Sequence, residues 1–228
     1  MRISEIFYSI QGEGRLAGVP SVFVRLAGCN LRCRWCDTPY ALQSSQGDSM
    51  AIPEIIEKVL SFNCRHVVVT GGEPMIAKGL CDFLEQLKSR EKHITIETAG
   101  TKHQQIPCDL MSVSPKLRHS TPTEGPFAQY AESHEKTRLN IAALQNLVDS
   151  YDYQMKFVVN DKSDLAEIAD LVNKLTGVET HRVMLMPEGR TKTELRRKNA
   201  EIAQICLEQG FAFCPRLQIE LWGNKKGT

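Results

Sequence analysis

The chain has 228 residues, enough for one large domain with a sizeable apolar core. Lysine and arginine number 28 against 27 aspartates and glutamates, a balance without the basic excess of a nucleic-acid binder. No stretch approaches the ~18 consecutive apolar residues of a membrane span. The first residues, Met1-Arg2-Ile3-Ser4-Glu5-Ile6, carry an early acid and no long apolar run, unlike a signal peptide, so a soluble, cytoplasmic protein is expected.

Short apolar runs alternate with helical patterns along the chain. Residues 21–26 read as a strand running into a cysteine-rich loop, and 53–62 as a helix with Pro53 in its first turn. Residues 66–70 form a buried strand pattern ending at Gly71-Gly72, followed by a helix over 79–89 and strands over 93–97 and 110–114. Residues 119–137 are polar, carry Pro122, Gly125 and Pro126, and read as a long loop or lid. Beyond them come a helix over 139–148, a strand over 154–159, a helix over 165–175, a strand over 183–186, a helix over 194–209 and a last strand over 211–217. The alternation predicts an α/β fold with a mainly parallel sheet. The βα units are too few for an eight-fold barrel, so a partial, open βα barrel in a single domain is expected. Each strand tends to end in chemically capable residues, Cys29, Thr70, Glu97 and Ser114, and parallel α/β folds place their sites at those carboxyl ends.

Three of the eight cysteines stand close together, Cys29, Cys33 and Cys36, in a CxxxCxxC pattern. Three thiolates can hold three irons of a [4Fe–4S] cluster and leave the fourth iron open, whereas electron-carrier clusters usually take four cysteines. A structural zinc site wants four ligands, and no histidine lies in this loop. A redox CxxC at Cys33 and Cys36 leaves Cys29 unexplained. Cys64, Cys81, Cys108, Cys206 and Cys214 are scattered singly and read as small hydrophobes. Trp35 offers an aromatic face for a purine, or a shield for the cluster. In Thr70-Gly71-Gly72-Glu73-Pro74, paired glycines let the backbone approach a ligand, and Glu73 adds charge suited to an ammonium. A tight turn is the bland alternative.

CxxxCxxC after one strand and Gly-Gly-Glu-Pro after the next resemble the radical S-adenosylmethionine superfamily. Ser9 to Arg15, Arg25, Cys36-Asp37-Thr38, Ile96-Glu97-Thr98 and Ser114-Pro115-Lys116 narrow the resemblance to the 7-carboxy-7-deazaguanine synthase family, from Ser9 to Lys116 and more loosely beyond. The resemblance implies reductive cleavage of S-adenosylmethionine to a radical that abstracts a hydrogen from 6-carboxy-5,6,7,8-tetrahydropterin. It implies Trp35, Cys36, Asp37, Gly71, Gly72, Glu73, Glu97, Ser114, Pro115 and Lys116 around the nucleoside cofactor. It also implies Gln11, Gly12, Glu13, Gly14, Arg25 and Thr70 around the substrate, with Gln11 and Glu13 suited to a pterin edge and Arg25 to a carboxylate. Thr38 is implied as an oxygen ligand to Mg²⁺. Several relatives carry a histidine where this chain has Leu217 to Gly223, and Gln218 is expected to take over that contact. A homodimer and a flavodoxin or ferredoxin donor are implied as well. A glycyl-radical activase shares the cluster and the glycine motif but has no use for the Gln11–Gly14 set. A non-catalytic iron–sulfur module predicts no cofactor cleavage.

Overall fold

A computed structural model describes all 228 residues. Nine strands form one open sheet, in the order β3-β1-β2-β4-β5-β6-β7-β8-β9. The strands are β1 (Arg2–Ile10), β2 (Pro20–Leu26), β3 (Asp48–Ser49), β4 (His66–Thr70), β5 (His93–Thr98), β6 (Leu110–Val113), β7 (Tyr153–Val159), β8 (Val183–Pro187) and β9 (Ala212–Phe213). From β2 to β9 every pairing is parallel. Only β1, with β2 and β3, is antiparallel. The expected partial βα barrel is therefore present, with an antiparallel edge added by a strand the sequence pattern had not revealed.

The crossovers are helical. α1 (Ile52–Leu60) starts where Pro53 needs no amide partner and Glu54 accepts the Ala51 amide at 2.8 Å, and it buries Ile55, Ile56 and Val59. α2 (Leu80–Lys88) buries Leu80, Phe83, Leu84 and Leu87. After β6 come α3 (Ala131–Thr137) and α4 (Ile141–Ser150), then α5 (Leu165–Asn173) after β7, α6 (Lys192–Gln209) after β8, and α7 (Leu217–Trp222) last. α6 opens on a Thr191–Glu194 capping box and ends on Gly210 in the left-handed region at φ 70°. One apolar core joins strands and helices, from Ile3 through Phe83 and Phe157 to Cys206.

Two expectations are corrected. Residues 119–137 are not an open loop. They form 3₁₀ turns at Arg118–Ser120 and Gly125–Tyr130 and then α3, which buries only His134 and so gives no amphipathic signal. The last strand stops at Phe213, because Pro215 has no amide for a ladder and Arg216 turns inward. Gln218 therefore sits on α7, whose first amide donates to the Gly12 carbonyl at 2.9 Å.

Candidate active site

A cavity of about 890 Å³ opens at the carboxyl ends of the parallel strands. Successive strands deliver Arg25, Thr70, Glu97, Ser114, Lys156 and Met186 to its wall, while the cysteine loop and the carboxyl-terminal residues close its sides. Basic side chains outnumber acidic ones in the lining, which suits an anionic ligand.

Cys29, Cys33 and Cys36 all face this cavity. Burial pushes the Cys29 thiol up to about 11 and the Cys33 thiol up to about 12, and it raises Cys36 too. The neighbouring thiols and acids raise them further, so these groups are neutral unless a metal takes their protons. A [4Fe–4S] cluster, where each thiolate meets its own iron, asks for three separate thiols on one wall, and this loop supplies them. The loop packs onto the glycine motif. A Cβ on Gly72 would lie 2.0 Å from the Gly28 carbonyl oxygen, and the Glu73 amide donates to that same oxygen at 2.8 Å. Only glycine allows this approach.

The same cavity holds an ionic centre. Glu13 pairs through Oε2 with Lys156, while its Oε1 accepts from Arg216 at 3.1 Å and Gln218 at 2.7 Å. Arg216 also pairs with Asp37. Burial alone would raise the Glu13 carboxyl, but the Lys156 and Arg216 charges overcome it and hold the group well below the usual carboxylate range. Burial likewise opposes the Lys156 charge, and Glu13 outweighs it, so that ammonium is raised. A second chain of polar contacts runs beside it. Glu97 accepts from Gln11 at 3.1 Å through Oε1 and from Thr70 at 2.6 Å through Oε2. Across the paired strands β1 and β2, the Arg25 Nε donates to Glu5 at 2.7 Å, leaving its two terminal nitrogens free for a ligand, and Tyr40 donates to the same Glu5 oxygen at 2.9 Å.

The radical S-adenosylmethionine superfamily profile matches residues 24–117, the segment from β2 through the cysteine loop and glycine motif to Leu117. A 7-carboxy-7-deazaguanine synthase of Halobacterium salinarum is 43% identical over 99% of this chain and 92% of its own. One of Rhodopirellula baltica is also 43% identical, over 99% and 88% respectively. The chain belongs to the 7-carboxy-7-deazaguanine synthase family. The crystal structure of QueE from Escherichia coli shares the fold, with a TM-score of 0.72 at 24% identity, over 93% of this chain and 92% of that one. As a radical S-adenosylmethionine enzyme of this family, the protein uses a [4Fe–4S] cluster and S-adenosylmethionine.

Set against the residues expected of such a family member, most are brought together. Gln11, Gly12, Glu13, Arg25, Trp35, Asp37, Thr38, Thr70, Gly71, Gly72, Glu97, Ser114, Lys116 and Gln218 all line the one cavity. Three expectations need correction. Glu73 is 1% exposed and turned away, since its carboxylate accepts from the Met75 amide at 3.0 Å, Thr98 at 2.7 Å and the Ala99 amide at 2.8 Å. It braces the glycine loop and does not face an ammonium. Gly14 is not in the lining, and its amide donates to Cys214 Sγ at 3.1 Å. The glycines admit side chains of the protein itself: a Cβ on Gly12 would meet Gln218 Oε1 at 1.8 Å, and one on Gly14 would meet Gln154 Nε2 at 2.1 Å. Pro115 is buried behind the wall, while the Lys116 ammonium contacts Ser114 Oγ at 2.8 Å and lies 5.7 Å from the Trp35 ring.

Lys156, Arg216, Gln154 and Glu5 were not anticipated. Lys156 had a signal: a charge inside the otherwise buried run Met155-Lys156-Phe157-Val158-Val159 must meet a partner or a cavity. Arg216 and Glu5 had none, because their partners are far away in sequence.

Proposed function

We propose that this cavity converts 6-carboxy-5,6,7,8-tetrahydropterin to 7-carboxy-7-deazaguanine with loss of ammonia. The observation that carries the reading is the pairing, in one cavity, of three cysteines with the Glu13 carboxylate bridged by Lys156 and Arg216. When bound, the cluster and S-adenosylmethionine supply a one-electron cleavage and a carbon radical able to take the hydrogen at C6 of the substrate. Cys29, Cys33 and Cys36 hold the cluster. Gly71, Gly72, Ser114, Lys116 and the Trp35 face are the groups that hold the nucleoside.

The remaining residues recognise the substrate. Glu13, kept ionised by Lys156 and Arg216, presents a carboxylate to the amino-pyrimidine edge, and Gln11, oriented by Glu97, presents an amide. Arg25, anchored by Glu5, presents its two terminal nitrogens to the substrate carboxylate. Thr38, in the cavity wall, supplies an oxygen to Mg²⁺, which keeps its other sites for water and substrate oxygens. Gln218 takes part through Glu13, with its own buried Oε1 still unpartnered and available to a substrate donor.

The family resemblance supports a homodimer of single-domain subunits, a cytoplasmic setting and a flavodoxin or ferredoxin as electron donor. No helix is long and apolar enough to cross a membrane. The glycyl-radical activase reading lacks a use for the Glu13 centre. The test is an anaerobic incubation of the reduced, cluster-reconstituted protein with S-adenosylmethionine, Mg²⁺ and the carboxypterin, read by mass spectrometry. Formation of 7-carboxy-7-deazaguanine is expected. Cofactor cleavage that depends on a partner protein would favour the activase instead.

A further inference from the structure

The segment between β6 and α4 contributes nothing to the wall of the active-site cavity beyond Ser114 and Lys116. It packs against the outer side of the cysteine loop instead. A separate hollow of about 200 Å³ lies there, lined by Cys29, Asn30, Arg32, Tyr130, Ser133 and His134, so Cys29 is reached from both sides. Two backbone amides that flank Cys33 are fixed by this segment. The Arg32 amide donates to His134 Nδ1 at 3.1 Å, and the Arg34 amide donates to the Ser120 carbonyl at 2.8 Å. Ser120 Oγ and His134 Nε2 are 2.9 Å apart, which joins the two supports. Both side chains are buried, at 0% and 1% exposure.

The tautomer follows from the donors. Nδ1 accepts from an amide, so it carries no proton, and Nε2–H donates to Ser120. Burial, with the Arg138 charge, pushes the His134 imidazole down to about 4, consistent with a neutral ring. The rest of the loop is tied in the same way. Arg32 reaches back to the Cys29 and Leu31 carbonyls, both at 2.7 Å, and its guanidinium lies 5.2 Å from the Tyr130 ring. Asn30 donates to Thr101 at 2.9 Å.

We propose that His134 and Ser120 are positioning residues that clamp the cysteine loop from outside, holding Cys33 in place for the cluster and slowing iron loss. The part concerning iron rests on the cluster reading above. In a loop of three ligands the entropy of ordering falls on the few residues between them, and a preformed pair of anchored amides removes much of it.

The test uses the full chain with and without the cluster. In metal-free protein, residue-resolved hydrogen exchange of the Arg32 amide is compared for wild type, His134→Leu, His134→Asn, His134→Gln and Glu132→Gln. The last alters only an exposed pair with Lys136 and serves as the control. We expect at least about ten-fold faster exchange in His134→Leu, the order expected for one buried hydrogen bond. His134→Asn, which can replace Nδ1 with an oxygen acceptor, should stay near wild type. His134→Gln, which can replace only the Nε2 donor, should resemble the leucine variant. In reconstituted protein, iron release to a ferrous chelator should rise in the same order. If His134→Leu does not fold, the Asn and Gln pair decides, and equal rates in those two overturn the proposal. Wild-type exchange in a folded leucine variant overturns it too, as does faster exchange without faster iron release. If wild type itself retains no cluster, the cluster reading falls and this proposal falls with it.

Discussion

The cysteine end of the site and the Glu13 end, joined through Arg216 and Asp37, solve opposite electrostatic problems. At the cysteine end, burial and mutual proximity raise three thiols, so the protein's own groups favour their neutral form. At the Glu13 end, carboxylate, ammonium and guanidinium already neutralise one another within the protein. The first end needs an external cation to become charged. The second is charged before any ligand arrives, and it holds its acceptors in fixed positions. Recognition there costs little reorganisation, which is what a site that must steer a reactive species requires. Damage at the two ends should therefore read out differently: loss of cofactor at one, loss of stability and recognition at the other.

The largest effect should come from Cys33→Ala. It is expected to abolish cluster binding and turnover, measured by iron content and by the electron paramagnetic resonance of the reduced protein. Retained iron with wild-type turnover would break the comparison at the cysteine end. Next is Lys156→Met, which leaves the largely enclosed Glu13 without its ammonium. A loss of about 3 kcal/mol is expected in urea unfolding, because breaking one partner of a buried pair strands the other. The double variant Glu13→Gln/Lys156→Met should regain most of that stability while still failing to bind substrate. If the double is as unstable as the single, the two residues are not energetically coupled.

Arg25→Lys should be smaller. The lysine keeps the charge but loses the fork, and KM for the carboxypterin is expected to rise by roughly thirty-fold, equivalent to about 2 kcal/mol, with iron content unchanged. Thr38→Ala should shift the Mg²⁺ dependence of turnover and leave the cluster intact, and an unchanged magnesium titration would remove Thr38 from the metal site.

The smallest effect concerns pH. The unfolded Glu13 carboxyl titrates near 4.5, while the folded one is held well below that. Its contribution to stability is thus complete above the unfolded value and declines as pH falls toward the folded one. Between roughly pH 5 and pH 3, the stability of Glu13→Gln should fall less steeply than that of wild type, by up to about 1.4 kcal/mol per pH unit. Parallel slopes would show that Glu13 is not held in its ionised form.

The same contrast explains what was legible in the sequence. Cys29, Cys33 and Cys36 lie within one short loop and Thr70 to Pro74 within another, so each pattern can be read from local spacing. The parallel strands from β2 to β8 were readable because buried strands are continuous apolar runs bounded by turns. The Glu13 centre is different. Its partners are 143 residues away in Lys156 and 203 in Arg216, and only the folded chain brings them together. α3 escaped because a polar helix with one buried histidine has no periodic stripe. The last strand was misread because an apolar run does not reveal that Pro215 and Arg216 will leave the sheet.

The central claim is that one cavity aims the cofactor's radical at C6 of a carboxylated pterin. The most direct measurement supplies substrate deuterated at C6 to the reduced enzyme with S-adenosylmethionine and reads the mass of the 5′-deoxyadenosine released and of the S-adenosylmethionine recovered. Because loss of ammonia alone is redox-neutral, the hydrogen taken at C6 must be given back, and the account predicts that the deuterium enters the 5′ position of the adenosyl group, in 5′-deoxyadenosine and in re-formed S-adenosylmethionine, while 7-carboxy-7-deazaguanine forms. The same product formed with no deuterium at the 5′ position of either 5′-deoxyadenosine or recovered S-adenosylmethionine would contradict it.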